Sequence, residues 1–230
     1  MREIICNSTY FGVFISVLAF AAGSWLSKKF KWPILNPLLV AIVIVVAVVK
    51  LLGIDYEAYN ESAKYLSYLL TPATVCLAIP LYQKLQLLKD NLAAVILGIV
   101  AGVCSSLGSI MALCWIFGLE HQYYVSLLPK SITTAIGIGV SAELGGITTI
   151  TIASIVITGI LGNIVGVMIC RIFRIVEPIA VGLALGNASH AIGTTKAMEL
   201  GEVEGAMSSL AIVVAGLITV VGASIFAGLY

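Results

Sequence analysis

The chain has 230 residues, of which 60% are hydrophobic and 10% charged, with a net charge of +1 and a mean hydropathy of +1.12. Soluble domains run about 45–50% apolar and about 25% charged, so too few polar residues remain here to coat a water-soluble globule. Near-neutral charge without a basic stripe speaks against a nucleic-acid partner. No P-loop, GxGxxG, HExxH or CxxC gives a seat to nucleotide, dehydrogenase or zinc chemistry, and no cofactor is expected.

The apolar residues come in blocks near the length that crosses a bilayer core of roughly 30 Å. They predict an all-α, polytopic helical membrane protein, with the lipid bilayer as its surroundings. The first span covers residues 8–26. Lys28, Lys29 and Lys31 follow it with no small-residue cleavage site, so it reads as a span and not a removable signal. A second span, 34–52, opens at Asn36-Pro37 and leads into the polar stretch 55–64. The third, 65–83, holds Thr71-Pro72-Ala73-Thr74 and Pro80, and two prolines in one span predict a discontinuous helix. Lys84 and Lys89 precede a long apolar run over 92–118, which ends at Glu120 and His121.

Residues 125–146 carry Pro129, four glycines, Ser131, Thr133, Thr134, Lys130 and Glu143. That load does not suit a lipid-facing helix, and a re-entrant hairpin on the outer face is expected. An apolar span over 147–170 ends at Arg171 and Arg174. Pro178 opens the next one, which becomes GNASHAIGTTKAMELGE over 186–202, and a last span covers 206–229. The five cysteines, Cys6, Cys76, Cys104, Cys114 and Cys170, have no ligand-like spacing and read as small buried hydrophobes.

A shift of 114 residues lays 34–52 on 148–166, the broken helix 71–82 on 185–196, and 92–113 on 206–227. Loop charges reverse between the overlaid positions. Under the positive-inside rule this predicts inverted repeats, 1–114 and 115–230, of the kind found in secondary transporters with a midplane site between two discontinuous helices. The resulting topology has seven crossings, with the N-terminus outside and the C-terminus inside.

Lys130 and His190 are the basic groups to examine first. A lysine within a membrane segment costs roughly 2.5–3.5 kcal/mol on insertion scales and usually faces water or a partner. With Ser131, Thr133 and Thr134 beside it, Lys130 suits an anion cradle; the plain alternative is a lysine that snorkels to the headgroups. His190 lies among Asn187, Ser189, Gly193 and Thr194. It is a candidate for substrate binding and proton coupling, against a purely structural hydrogen-bonding role. Thr71 and Thr74 are the mirror-image candidates, or else patch a proline kink. Glu143 either pairs with Lys130 or is solvated. No Ser-His-Asp arrangement or clustered carboxylate pair suggests an enzyme.

At these residues the chain resembles the LrgB/CidB family. The matching stretches are Asn36-Pro37-Leu38-Leu39, Thr71-Pro72-Ala73-Thr74 through Tyr82, Leu128-Pro129-Lys130-Ser131 with Thr133-Thr134, and Gly182-Leu183-Ala184-Leu185-Gly186 through Glu199. Ala135 and Val181 depart from the proline and arginine that many relatives carry there. The resemblance implies two functions. One is an antiholin-like or holin-like regulator that works with a small LrgA/CidA-type membrane protein and is linked to murein hydrolase export and autolysis. The other is transport of small carboxylates such as glycolate, glycerate or pyruvate by alternating access. The residues favour a small carboxylate substrate, and class analogy suggests a homodimer of elevator type.

Overall fold

The computed structural model describes residues 8–30, 32, 35–76 and 78–230, without the side chains of residues 70, 71, 74, 80 and 81. Cys6 and Lys31 fall outside them. The described residues are helical with short connections, and the chain divides into two compact units, Met1–Cys76 and Leu77–Tyr230. Among the described residues, four helices are long and apolar enough to cross a membrane. The protein is a polytopic, all-α membrane protein.

The first unit contains α1 (Phe11–Phe30), α2 (Pro37–Leu52), α3 (Tyr56–Ser67) and α4 (Leu70–Cys76). Asn36 caps α2: its side chain accepts from Leu38 N–H and Leu39 N–H, and Pro37 takes the first-turn position where its missing donor costs nothing. Gly23 lets α1 close on Pro37, where an added Cβ would stand 2.6 Å from the proline carbonyl oxygen. At the other end of α1, Gly12 N–H donates to Ser62 on α3 at 2.9 Å. The expected helix over 65–83 is interrupted at Tyr68-Leu69, and Pro72 falls in the first turn of α4.

The second unit begins with α5 (Ala78–Gln83) and α6 (Leu85–Asp90). It continues with α7 (Leu92–Phe117), α8 (His121–Leu127), α9 (Thr134–Glu143), α10 (Thr148–Ile172), α11 (Pro178–Leu200) and α12 (Glu202–Ala227). Its apolar core is built from Val95, Ile99, Val103 and Leu107 of α7 against Met207, Ala211 and Ala215 of α12.

Helices α8 and α9 form the expected hairpin, reversing through residues 128–133. Its two ends are stitched to α10 by hydroxyls. Ser126 accepts from Ile147 N–H at 2.7 Å, and Thr151 donates to the Ser126 carbonyl at 2.9 Å and bonds Ser141 at 2.6 Å. The base is anchored where α7 and α12 both end, with Tyr124 donating to the Phe226 carbonyl and Tyr230 to the Cys114 carbonyl.

Helix α11 carries the discontinuity expected within 185–196, and the break turns the chain back into a second hairpin in place of the crossing that the seven-crossing count gave this element. The backbone leaves helical geometry at Ser189 (φ −134°, ψ 15°) and His190 (φ 42°, ψ −139°). Beyond that point the chain runs back: a Cβ on Gly193 would meet the Leu185 carbonyl oxygen at 2.4 Å, although an unbroken helix would hold residues eight apart about 12 Å from one another. Gly182 faces Glu204 and Gly186 faces Ser208, so the first arm runs parallel to α12. Met198 faces Gly205 and Thr194 bonds Ser208, so the second arm runs antiparallel to it.

Because 178–200 returns to the end it left, α12 runs in the same direction as α7. Leu107 meets Gly222, and Cys114 meets Tyr230. The C-terminal end of α12 therefore lies with Glu120 and Glu143, the end read from loop charge as outside, and not inside as the seven-crossing count had it. The 114-residue overlay sets α7 on α12, and these two helices lie parallel. The inverted pair in this unit is the two hairpins, which enter from opposite ends and point toward each other.

Candidate functional site

Both hairpin tips arrive at mid-height of the long helices. The first reaches Ser106, near the middle of the 26-residue α7, where the hydroxyls of Ser131 and Ser106 lie 3.1 Å apart. The second reaches α10, placing Ser189 against Gly162 and the His190 ring against Gly159. Glycine is required at both positions, since a Cβ on Gly162 would lie 1.6 Å from Ser189 Oγ and one on Gly159 2.8 Å from the His190 ring. Gly102 of α7 likewise makes room for the Asn187 amide, which donates to the Ile99 carbonyl at 3.0 Å.

Between α7, α10, the first arm of α11 and the first hairpin's tip lies a cavity of about 860 Å³. Along α7 its lining runs from Asn91 to Ser109, with Asn91 and Glu177 at the end where that helix begins. Lys130 lines it at the level of Ser106, half-buried, with its ammonium donating to Ser131 at 2.9 Å and to Ser106 at 3.3 Å. Among the described residues its partners are hydroxyls, and the ion pairs lie elsewhere, at Glu61–Lys64, Lys84–Glu202 and Lys196–Glu199. Glu143 is exposed at the end of α9 and does not meet Lys130.

Of the residues singled out in the sequence, Lys130, Ser131, Asn187 and Ser189 line this cavity together. His190 lies behind the wall, buried, with Nε2 3.1 Å from the Ile155 carbonyl. Thr194 is buried and braces the tip by donating to the His190 carbonyl. Gly193 lies where the second arm crosses Leu185, and Thr133 and Thr134 open α9 without lining the cavity. The Thr71 and Thr74 side chains lie outside the described set.

Sequence reasoning missed Ser105, Ser106 and Ser109. Their signal is a serine cluster, with spacing 1–3–4, inside an otherwise apolar span. It also missed the glycines at 98, 102 and 162, which line the cavity and keep its walls thin. The lining holds one cation, Lys130, with several hydroxyls around it, and one carboxylate, Glu177, at the end where α7 begins.

The model of the LrgB-like family matches residues 16–229. The chain belongs to this family. It is 37% identical over 207 residues to the holin-like protein CidB of Staphylococcus aureus, covering 90% of each chain. To the antiholin-like protein LrgB of Bacillus subtilis it is 36% identical over 220 residues, 95% of each. The antiholin-like protein LrgB of Bacillus mycoides is 37% identical over 213 residues, 92% of this chain and 93% of its own. No solved structure matches the chain. With its four apolar helices and these bacterial relatives, the LrgB-like chain is a multi-pass bacterial membrane protein.

Proposed function

We propose that this LrgB-like chain carries small monocarboxylates of the glycolate, glycerate and pyruvate class across the membrane by alternating access. The observation that supports it is the pairing of Lys130 with Ser106 and Ser131 in the lining of a cavity, between two hairpins that enter from opposite ends. An ammonium with only hydroxyl partners has an unmet preference for an anion, and a single cation matches a single carboxylate. The cavity extends toward the end carrying Lys84, Lys89, Arg171 and Arg174, which the positive-inside rule makes cytoplasmic. His190 acts here as a strut for the second tip, and the carboxylate is held by Lys130.

Counterflow in proteoliposomes tests the reading, with labelled glycolate outside and excess unlabelled acid trapped inside. A transient overshoot is expected for the intact chain and for His190→Gly, and its loss is expected in Lys130→Ala that remains folded by size-exclusion chromatography. A flat trace from folded wild-type protein overturns the carrier.

The names of the relatives favour a second reading, an antiholin-like regulator of a holin-type pore that acts with a small LrgA/CidA-type partner and controls murein hydrolase export. It predicts altered hydrolase release on deletion, with Lys130→Ala indistinguishable from wild type. A homodimer is proposed for either reading and is checked by light scattering.

A further inference from the structure

Two polar side chains in the cavity wall are almost fully buried and yet not fully used. Asn187 is 8% exposed and Ser189 is 1% exposed, and both line the cavity. The Asn187 amide nitrogen is committed to the Ile99 carbonyl, which fixes the orientation of the group and leaves Oδ1 as its free end. Neither Oδ1 nor Ser189 Oγ has a protein partner among the described residues, and neither is sealed from the cavity. A buried acceptor left open in this way awaits a donor.

Position along α7 gives the spacing. Lys130 and Ser131 meet the helix at Ser106, and Asn187 meets it at Gly102, one turn below on the same face. The four residues between them rise about 6 Å. A carboxylate held at Lys130 therefore places a substituent on the adjacent carbon within reach of Asn187, with a hydrogen bond at each end.

We propose that Asn187 is a specificity-determining residue whose Oδ1 accepts a hydrogen bond from a hydroxyl on the carbon next to the carboxylate. The site then prefers 2-hydroxy acids to 2-oxo acids. A 2-oxo acid has no donor there and would set its carbonyl oxygen against Oδ1, leaving the buried acceptor unpaired. Ser189, able to donate as well as accept, tolerates either. This inference rests on the carrier reading and narrows its substrate.

The test is competition in counterflow, with labelled glycolate as tracer and lactate (each enantiomer) or pyruvate as competitor. The two competitors are similar in size and charge and differ at one carbon. In the intact chain one lactate enantiomer should compete roughly five- to tenfold better than pyruvate, the size expected for one neutral hydrogen bond. Asn187→Ala should bring the ratio close to one. Gly102→Ala leaves Asn187 in place but sets a Cβ 2.1 Å from its amide nitrogen, so it should shrink the ratio in the same direction. Equal competition by lactate and pyruvate in the intact chain overturns the assignment, as does a ratio unchanged in folded Asn187→Ala. Absence of counterflow with every acid overturns the carrier reading itself.

Discussion

The hairpin over 121–143 spends six residues, 128–133, on its reversal, none of them at positive φ. The hairpin over 178–200 reverses at two, Ser189 and His190, with His190 at φ 42°. The first is fastened at its base by side-chain hydroxyls, Ser126, Ser141 and Thr151. The second is fastened along its length by close backbone approach at Gly182, Gly186 and Gly193. The difference separates two tasks. A wide tip, stitched at its base and seated on α7 through Leu128, Ile132 and the bonds to Ser106, can present Lys130 and Ser131 to a cavity, whereas a sharp tip gripped from both sides forms the facing wall. A non-glycine residue held at positive φ costs on the order of 1–3 kcal/mol, and the His190 ring, wedged onto Gly159 and the Ile155 carbonyl, offsets part of that.

Substitutions at glycines in the two hairpins should break this comparison most visibly. Gly186→Val sets a Cβ 2.4 Å from the Ser208 carbonyl oxygen, which neither backbone can relieve. A loss of about 3 kcal/mol or failure to fold is expected, read as thermal unfolding in detergent. Gly139→Ala in α9 meets nothing within 4 Å and should instead stabilise by about 0.5–1 kcal/mol. A smaller effect is expected at the stitched base. Thr151→Val keeps the shape but removes the donor to the Ser126 carbonyl and the bond to Ser141. It should cost about 1–3 kcal/mol and raise hydrogen exchange at residues 121–147 without altering exchange in α11.

The smallest effect belongs to the exposed Lys84–Glu202 pair at 2.9 Å. The Lys84 ammonium holds the Glu202 carboxyl below its ordinary value of 4.5. A carboxyl depressed in the folded state adds stability above its unfolded value and loses it as pH falls through the folded one. Lys84→Gln should therefore lie slightly below wild type in thermal stability at pH 7, with the gap closing below pH 4.5. A gap that widens in acid would contradict the assignment.

The first hairpin was legible because its residues are conspicuous: Pro129, Lys130 and three hydroxyls cannot be parked in lipid. In the second the break within 185–196 was legible, but not that the chain turns back there. Residues 178–200 have the length and composition of a span, and the reversal falls on a histidine, where turn rules look for glycine or asparagine. What makes it possible lies elsewhere in the chain, at Gly159 and Gly162 on α10 and at Ser208 on α12. Three-dimensional complementarity of this kind leaves no local periodicity. The same holds for Asn187: its polar type was visible, but its half-used amide depends on a carbonyl 88 positions away. Reading 178–200 as a crossing then reversed the direction of every element after it, so one missed turn propagated into the C-terminal topology.

The cavity's course along α7 carries an electrical consequence for the proposed carrier. If water fills it from the end where α7 begins, bulk potential reaches Lys130 and the membrane voltage falls across the rest of the helix. Along α7 that remainder runs from Ser109 to Phe117, about 12 Å at 1.5 Å per residue. Binding of an anion at Lys130 from that side should then be indifferent to membrane potential. The work of the voltage on a carried charge, worth about 2.3 kcal/mol per 100 mV, would be concentrated in the rearrangement that turns the occupied site to the other face.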